Sequence, residues 1–462
     1  MSRITKRQRQ AVPLAGSDYA LDFVSAQMNE NIYPETAGAA AKPVLRSIPG
    51  TQTFSNTSGI GRGLHKWGEK LYAVAGDTIY YVDSTGGATS LGSIPGNDLV
   101  SMADNGLQLA VATGTALYSV TTSVALVVDA DAPLNPVSVD FLDAYILAVD
   151  GNTQTFAWSS LDDVTTWDGL DFASAEGAPD NLVGLRVDHR EVWLAGTDSM
   201  EVWFNDGTTP FSRSSGGYIE KGCASGKTLQ KLDNTIYWLG TDKIHGPAVY
   251  RAAGLQPERV STTAIDEALA SYGDVSGAYA FTYAEKGHAF YVLTVPGKGT
   301  WVYDAAVNEW HRRTTWNSDD YDIVSVVRCY NKLLGQKRTG QVVELSRLLN
   351  TDEGEVIRRR RVMPTLDLNG RRFSVMRTEL LASVGTAALT ETPEVEIEVS
   401  KDRGKTWGDP QTRSYGSTGD YEKRLIWGPF GGFRQYTARI TTTSDIVATW
   451  GELIMDIEVH DH

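Results

Sequence analysis

The stretch GLHKWGEKLYAVAGDTIYYVDSTGGATSLGSI, residues 63–94, decides the fold. Its centre alternates with period two, Leu71, Ala73 and Ala75 against Tyr72 and Val74, which is the spacing of a strand and not of a helix. Gly76-Asp77 supplies a turn, and IYYVD follows as a second strand. The same shape returns at residues 100–129, where Asn105-Gly106 makes the turn, LQLAVAT the apolar strand and ALYSV the aromatic-bearing one. It returns again at residues 137–161, 182–207, 227–254 and 278–313, with a seventh partial unit at 323–348.

Each unit reads strand, polar turn, apolar strand, Gly/Asp/Thr turn, aromatic strand and a weaker fourth strand. An interval of roughly 36 to 50 residues lies in the range of four-stranded propeller blades. A lone four-stranded sheet exposes two apolar faces and two edges; radial stacking buries the faces and leaves short edges. The pattern predicts a β-propeller of six or seven blades over 51–350, preceded by an N-terminal arm or linker over 1–50. One helix is expected at TTAIDEALASY, residues 262–272, with Thr262 ahead of an i, i+4 pair of Ile265 and Leu269. After about residue 350 the repeat stops and strict alternation continues. In EVEIEVS, Val395, Ile397 and Val399 face one way and Glu394, Glu396 and Glu398 the other. Residues 351–462 are expected to form an antiparallel β-sandwich or jelly roll, making the chain all-β.

Composition agrees. The 462 residues include 45 Gly, 20 Tyr and 12 Trp, suited to short strands and tight turns. A net charge of −15, from 42 Lys+Arg against 57 Asp+Glu, argues against a dedicated duplex-binding surface. Two cysteines, Cys223 and Cys329, build no disulfide framework and suit a reducing compartment. The basic start lacks the apolar core of a signal peptide, and no apolar run is long enough to span a membrane.

Chemistry-bearing motifs are few. SKDRGKTW carries the Asp-box residues Ser400, Asp402, Gly404, Thr406 and Trp407, which predict a structural hairpin with Trp407 packed beneath it. Arg358, Arg359, Arg360 and Arg361 form the dense basic run. Without interleaved aromatics they are read as a contact to a neighbouring subunit or partner, ahead of nucleic acid. The histidines show no metal spacing, so neither metal nor cofactor is expected. The pairs Asp162-Asp163, Asp319-Asp320 and Asp129/Asp131 read as turn residues. A sialidase-like glycosidase or a carbohydrate-binding adhesin acting on host glycans is the alternative function. The enzyme would need two carboxyls held across a pocket, with an arginine triad.

In order and position, several stretches resemble the packaged-DNA-stabilisation (tail hub, or nozzle) proteins of short-tailed bacteriophages. They are ENIYPE (30–35), RSIPGT (46–51), GIGRGLHKWGEKLYAVAGDTIY (59–80) and VSMADNGLQLAVATG (100–114). They continue with SSLDDVTTWDGLDFASAEGAPDNLVGL (159–185), LAGTDSMEVW (194–203) and KRLIWGPFGGFRQYTARI (423–440). The resemblance covers nearly the entire chain and departs most over 274–331. It implies a non-enzymatic virion subunit made in the host bacterial cytoplasm. It also implies a homo-oligomer, a ring of six copies, below the portal and its adaptor (head-to-tail connector) protein. That ring would extend the DNA exit channel, help retain packaged DNA, serve genome ejection and attach a tail needle or tailspikes. Genomic DNA would pass through without sequence-specific binding.

Overall fold

The computed structural model describes residues 6–14, 19–21, 25–35, 42–207, 210–241, 246–385 and 392–460. They form two compact units, one of residues 52–298 and 322–345, the other of 1–51, 299–321 and 346–462.

The first unit is the propeller. Four complete antiparallel sheets follow one another. The first has strands Gly61–Trp67, Lys70–Ala75, Thr78–Val82 and Ala88–Ser93; the others begin at Ser101–Asp104, Pro136–Leu142 and Leu182–Asp188. A fifth sheet centres on Thr235–Thr241 and Ala248–Ala253. The hairpin Tyr279–Glu285/His288–Val295 and the strands Ile323–Cys329, Lys332–Lys337 and Val342–Ser346 follow. Among the described residues the last of these inner strands, Ile323–Cys329, packs against the first, Gly61–Trp67.

The alternation in each second strand has a purpose that a half-exposed strand would not require: both faces are buried. Leu71 and Ala73 pack with Leu334 and Cys329 on one side, while Tyr72 and Val74 pack with Leu109 and Val111 on the other. The pattern repeats around the unit. Ala110 and Ala112 meet Ile146 and Ala148; Leu147 and Val149 meet Val192 and Leu194; Trp193 and Ala195 meet Ile236 and Trp238. Period two thus assigns each side chain to one neighbouring sheet or the other. Each fully buried Leu or Val contributes about 1.5–3 kcal/mol. Where sheets meet most closely side chains vanish: a Cβ on Gly226 would sit 1.8 Å from the Val183 carbonyl oxygen. Thr263–Ser271 is the expected helix, with the Thr262 hydroxyl accepting from the Ile265 N–H at 3.4 Å.

The second unit is a sandwich of two sheets. One pairs Phe373–Ala382 with Thr449–Val459; the other pairs Glu394–Ser400 and Arg359–Val362 with Gln435–Thr442. Phe373, Val375, Leu453, Met455 and Ile457 from one face Val395, Ile397, Ala438 and Ile440 from the other.

The described strands of the N-terminal fifty residues do not stand apart as an arm. Lys6–Pro13 adds to the edge of the first sheet beside Thr449–Val459, from Lys6↔Val459 to Pro13↔Glu452. Ile32–Glu35 and Val44–Ser47 form a hairpin joined to Thr449 and Trp450. Residues 299–321 also belong to this unit, so its chain is drawn from three stretches and not from 351–462 alone. Sequence alternation marks a strand but does not name its partner, and these partners are hundreds of residues away. Among the described residues no helix is long and apolar enough to cross a membrane.

Candidate functional site

The propeller's inner strands enclose a cavity of about 250 Å³. Its lining includes Arg62, His65, Arg186 and Lys227, and its described lining contains no Asp or Glu. Most of these groups are already engaged. Arg62 is buried; its Nε donates to the Asp98 carbonyl at 2.7 Å, and Nη1 donates to the carbonyls of Ile94 (2.6 Å) and Gly76 (3.1 Å). Burial lowers its pKa, opposed by Asp77 and Asp98. His65 Nε2 lies 2.7 Å from the Asp104 carboxylate. Arg186 donates to the Leu229 carbonyl and the Gln230 side chain at 3.2 and 3.3 Å. No carboxylate pair faces this space, so its lining offers neither the acid nor the base of a glycosidase.

Serines join the inner strands. Ser101 Oγ donates to the Val139 carbonyl (3.2 Å) and accepts from the Val139 N–H (3.0 Å). Ser138 clasps Leu185 in the same way, at 3.1 and 3.2 Å, and Ser325 accepts from the Leu64 N–H at 3.3 Å. The signal was present in the sequence as a Val-Ser pair opening three inner strands, at 100–101, 137–138 and 324–325. It passes unnoticed because such a pair is ordinary until strand neighbours are known.

Two members of the arginine run, Arg359 and Arg361, are buried, which corrects their reading as contacts to a neighbouring subunit or partner. On strand Arg359–Val362 alternation sends Arg359 and Arg361 into the sandwich unit, 0% and 1% exposed. Arg359 donates to the carbonyls of Asn350 (2.6 Å) and Ser444 (3.1 Å), and burial lowers its pKa to about 10. Arg361 donates to the Asn29 side chain at 2.8 Å. Arg358 and Arg360, on the half-buried side, share the buried Glu30 at 2.6 and 3.7 Å. Next to it Asn31 turns the chain with φ of 55° and donates to the carbonyls of Arg358 (2.9 Å) and Thr314 (3.1 Å). The run and the Asn29-Glu30-Asn31 triplet are therefore two halves of one internal clamp.

At the Asp box, Ser400 Oγ accepts from the Gly404 N–H at 2.8 Å and Asp402 from the Thr406 N–H and hydroxyl at 2.9 and 2.6 Å. Gly404 takes φ of 88°. The hydrogen bond from Ser400, with those from Thr406, holds the Asp402 carboxyl at about 2. Trp407 is only half-buried, and the Arg439 guanidinium lies 4.3 Å over its ring. Asp163 likewise accepts from Thr165 and Thr166 in a turn. Burial raises the Cys223 thiol to about 11, unsuited to nucleophilic work. Among the described residues no group of His, Cys, Asp and Glu could hold a metal; His245 and His462 lie outside them.

Two family models match the chain in succession. One is described as bacteriophage P22 Gp10, beta-propeller, and matches residues 10–346; the other, bacteriophage P22 Gp10, beta-sandwich, matches residues 358–458. No curated protein matches. Solved structures similar to the chain include BamB from Moraxella catarrhalis, at 11% identity and TM-score 0.41, covering 74% of this chain and 98% of that one. The computationally designed Ika8 protein is 13% identical with TM-score 0.40, covering 72% and 99%. The N-terminal domain of Nup159 is 11% identical with TM-score 0.42, covering 69% and 98%.

Proposed function

Because this chain belongs to the bacteriophage P22 Gp10 family through both its propeller and its sandwich, a family of phage structural proteins, we propose that it is a tail-ring subunit below the portal. Six copies form the ring, which meets the portal adaptor above and a needle or tailspikes below. The observation that carries this reading is the two matches in chain order, spanning 10–346 and 358–458.

Charge supports it. At −15 per copy, six copies carry about −90, and a wall of that sign repels the phosphate backbone and lets DNA slide. Retention then depends on a plug or constriction and not on tight phosphate contacts. Cryo-EM of the virion tests the reading directly and is expected to find a closed ring of this chain on the adaptor. Particles lacking the chain are expected to fill and then lose their DNA. Submicromolar affinity for duplex DNA at physiological salt would refute the sliding wall; hydrolysis of a fluorogenic glycoside panel would favour the glycosidase.

A further inference from the structure

Charge is unevenly placed along the chain. Between residues 71 and 185 lie 15 Asp or Glu and not one Lys, Arg or His. Taking those 15 from the chain's 57 acidic residues leaves 42, equal to its 42 Lys+Arg. The net charge of −15 therefore sits within the first three propeller sheets and their connections, and the rest of the chain is formally neutral.

The same region exposes apolar surface. On Asp163–Ser174, the outermost strand of the third sheet, Leu170 is 84% exposed and Phe172 50%. Leu126, Val128 (85%) and Leu134 are exposed at and after the end of the second sheet. The two stretches touch: the Trp167 N–H donates to Asp129 at 3.1 Å, and a Cβ on Gly169 would lie 2.7 Å from Asp131. Single exposed leucines need no explanation, but five large apolar side chains on one propeller edge do. They are interleaved with Asp129, Asp131, Asp168 and Asp171. Arg186 and Arg190 answer the neighbouring Asp140 and Asp143, whereas no Lys or Arg of the described residues pairs with those four.

The complementary surface is on the same chain. At one end of the sandwich Arg371, Arg372, Lys401 and Arg434 are exposed. Arg434 donates to the Gly370 carbonyl at 2.8 Å, and the Lys401 ammonium lies 5.4 Å from the Phe433 ring, so these cations share one end. Long basic side chains lay their stems on aliphatic surface while their heads reach carboxylates.

We propose that the apolar, carboxylate-studded propeller edge of one copy receives the basic sandwich end of the next copy. This rests on the ring reading above. Such a contact is head-to-tail, and head-to-tail contacts close into rings when the rotation allows. Opposite charge sets the register, and the leucines supply burial.

The test is sedimentation of the full chain with charge-reversed variants. Wild type is expected to self-associate, at least about tenfold more weakly at about 0.5 M salt than at about 0.05 M. Asp131→Lys with Asp171→Lys should stay monomeric, as should Arg371→Glu with Arg434→Glu. Mixing the two variants should restore assembly, because each then presents the sign that the other lacks. Leu170→Ser should weaken assembly without altering circular dichroism. A wild-type chain monomeric at every salt, or an assembly indifferent to both reversals, overturns this contact and leaves the ring standing if virion images contain one. Images without a multi-copy ring overturn the ring itself.

Discussion

Arg361 and Arg371 are ten residues apart and differ entirely in what they do. The first is buried and donates to Asn29 at 2.8 Å; the second is exposed. Arg361→Ala leaves the Asn29 acceptor and a cavity inside the sandwich, and should cost about 2–4 kcal/mol in urea unfolding. Arg371→Ala should change stability by less than about 0.5 kcal/mol in the same measurement. Equal effects would mean that the clamp does not hold the fold. Alternation along the arginine strand was legible; the side of it that is buried was not, because that depends on Glu30 and Asn29, more than three hundred residues earlier. The Asp box lies at the other extreme, with the hydrogen bonds among Ser400, Asp402, Gly404 and Thr406 all within six residues, so its turn could be read directly. Its carboxyl is depressed to about 2 from an unfolded value of about 3.9. A depressed carboxylate contributes stability above the unfolded pKa and loses it as pH falls through the folded one. The melting-temperature difference between wild type and Asp402→Asn should therefore be constant above about pH 5 and shrink between about pH 4 and 2.

The propeller strands, unlike the N-terminal strands Lys6–Pro13, Ile32–Glu35 and Val44–Ser47, could be read from the sequence, since period two and Gly/Asp turns are local signals. Asn105-Gly106 shows why: Gly106 takes φ of 85° and Asn105 Oδ1 accepts from the Leu107 and Gln108 N–H groups, all within four residues. What joins one sheet to the next is non-local and was missed. The Ser138 hydroxyl satisfies both the N–H and the carbonyl of Leu185 on the neighbouring inner strand. Ser138→Ala strands a buried N–H there and should cost about 1–3 kcal/mol, read as a shift of the urea midpoint at unchanged slope. Ser138→Thr keeps the hydroxyl and should recover part of the loss. An alanine variant as stable as wild type would show that the clasp is incidental to the packing of Leu147 and Val149 against Val192 and Leu194.

At the scale of the molecule, fold class and the succession of propeller and sandwich were readable, but the cut between them was not. A linear reading divides the chain at 50 and 350, whereas the sandwich unit draws its strands from residues as early as Lys6 and as late as Val459. Net charge hides a similar division. The −15 of the whole chain is carried by residues 71–185, so the propeller bears a concentrated self-repulsion while the sandwich answers its carboxylates locally. Glu379, for example, is held by Arg424 through two contacts of 2.7 Å, which keep its pKa low. Clustered like charge destabilises a compact state, and salt relieves it. At a protein concentration low enough to keep the chain monomeric, raising salt from about 0.05 to about 0.5 M at pH 7 should raise the propeller's melting transition by about 2–5 °C. Under the same change the sandwich, whose pairs are screened along with any repulsion, should gain nothing or lose slightly. Trp301, Trp310, Trp427 and Trp450 belong to the sandwich unit and Trp158, Trp193 and Trp238 to the propeller. Replacing the tryptophans of one unit with phenylalanine separates the two transitions by fluorescence, and a propeller transition that falls with salt would mean that its carboxylates are already neutralised.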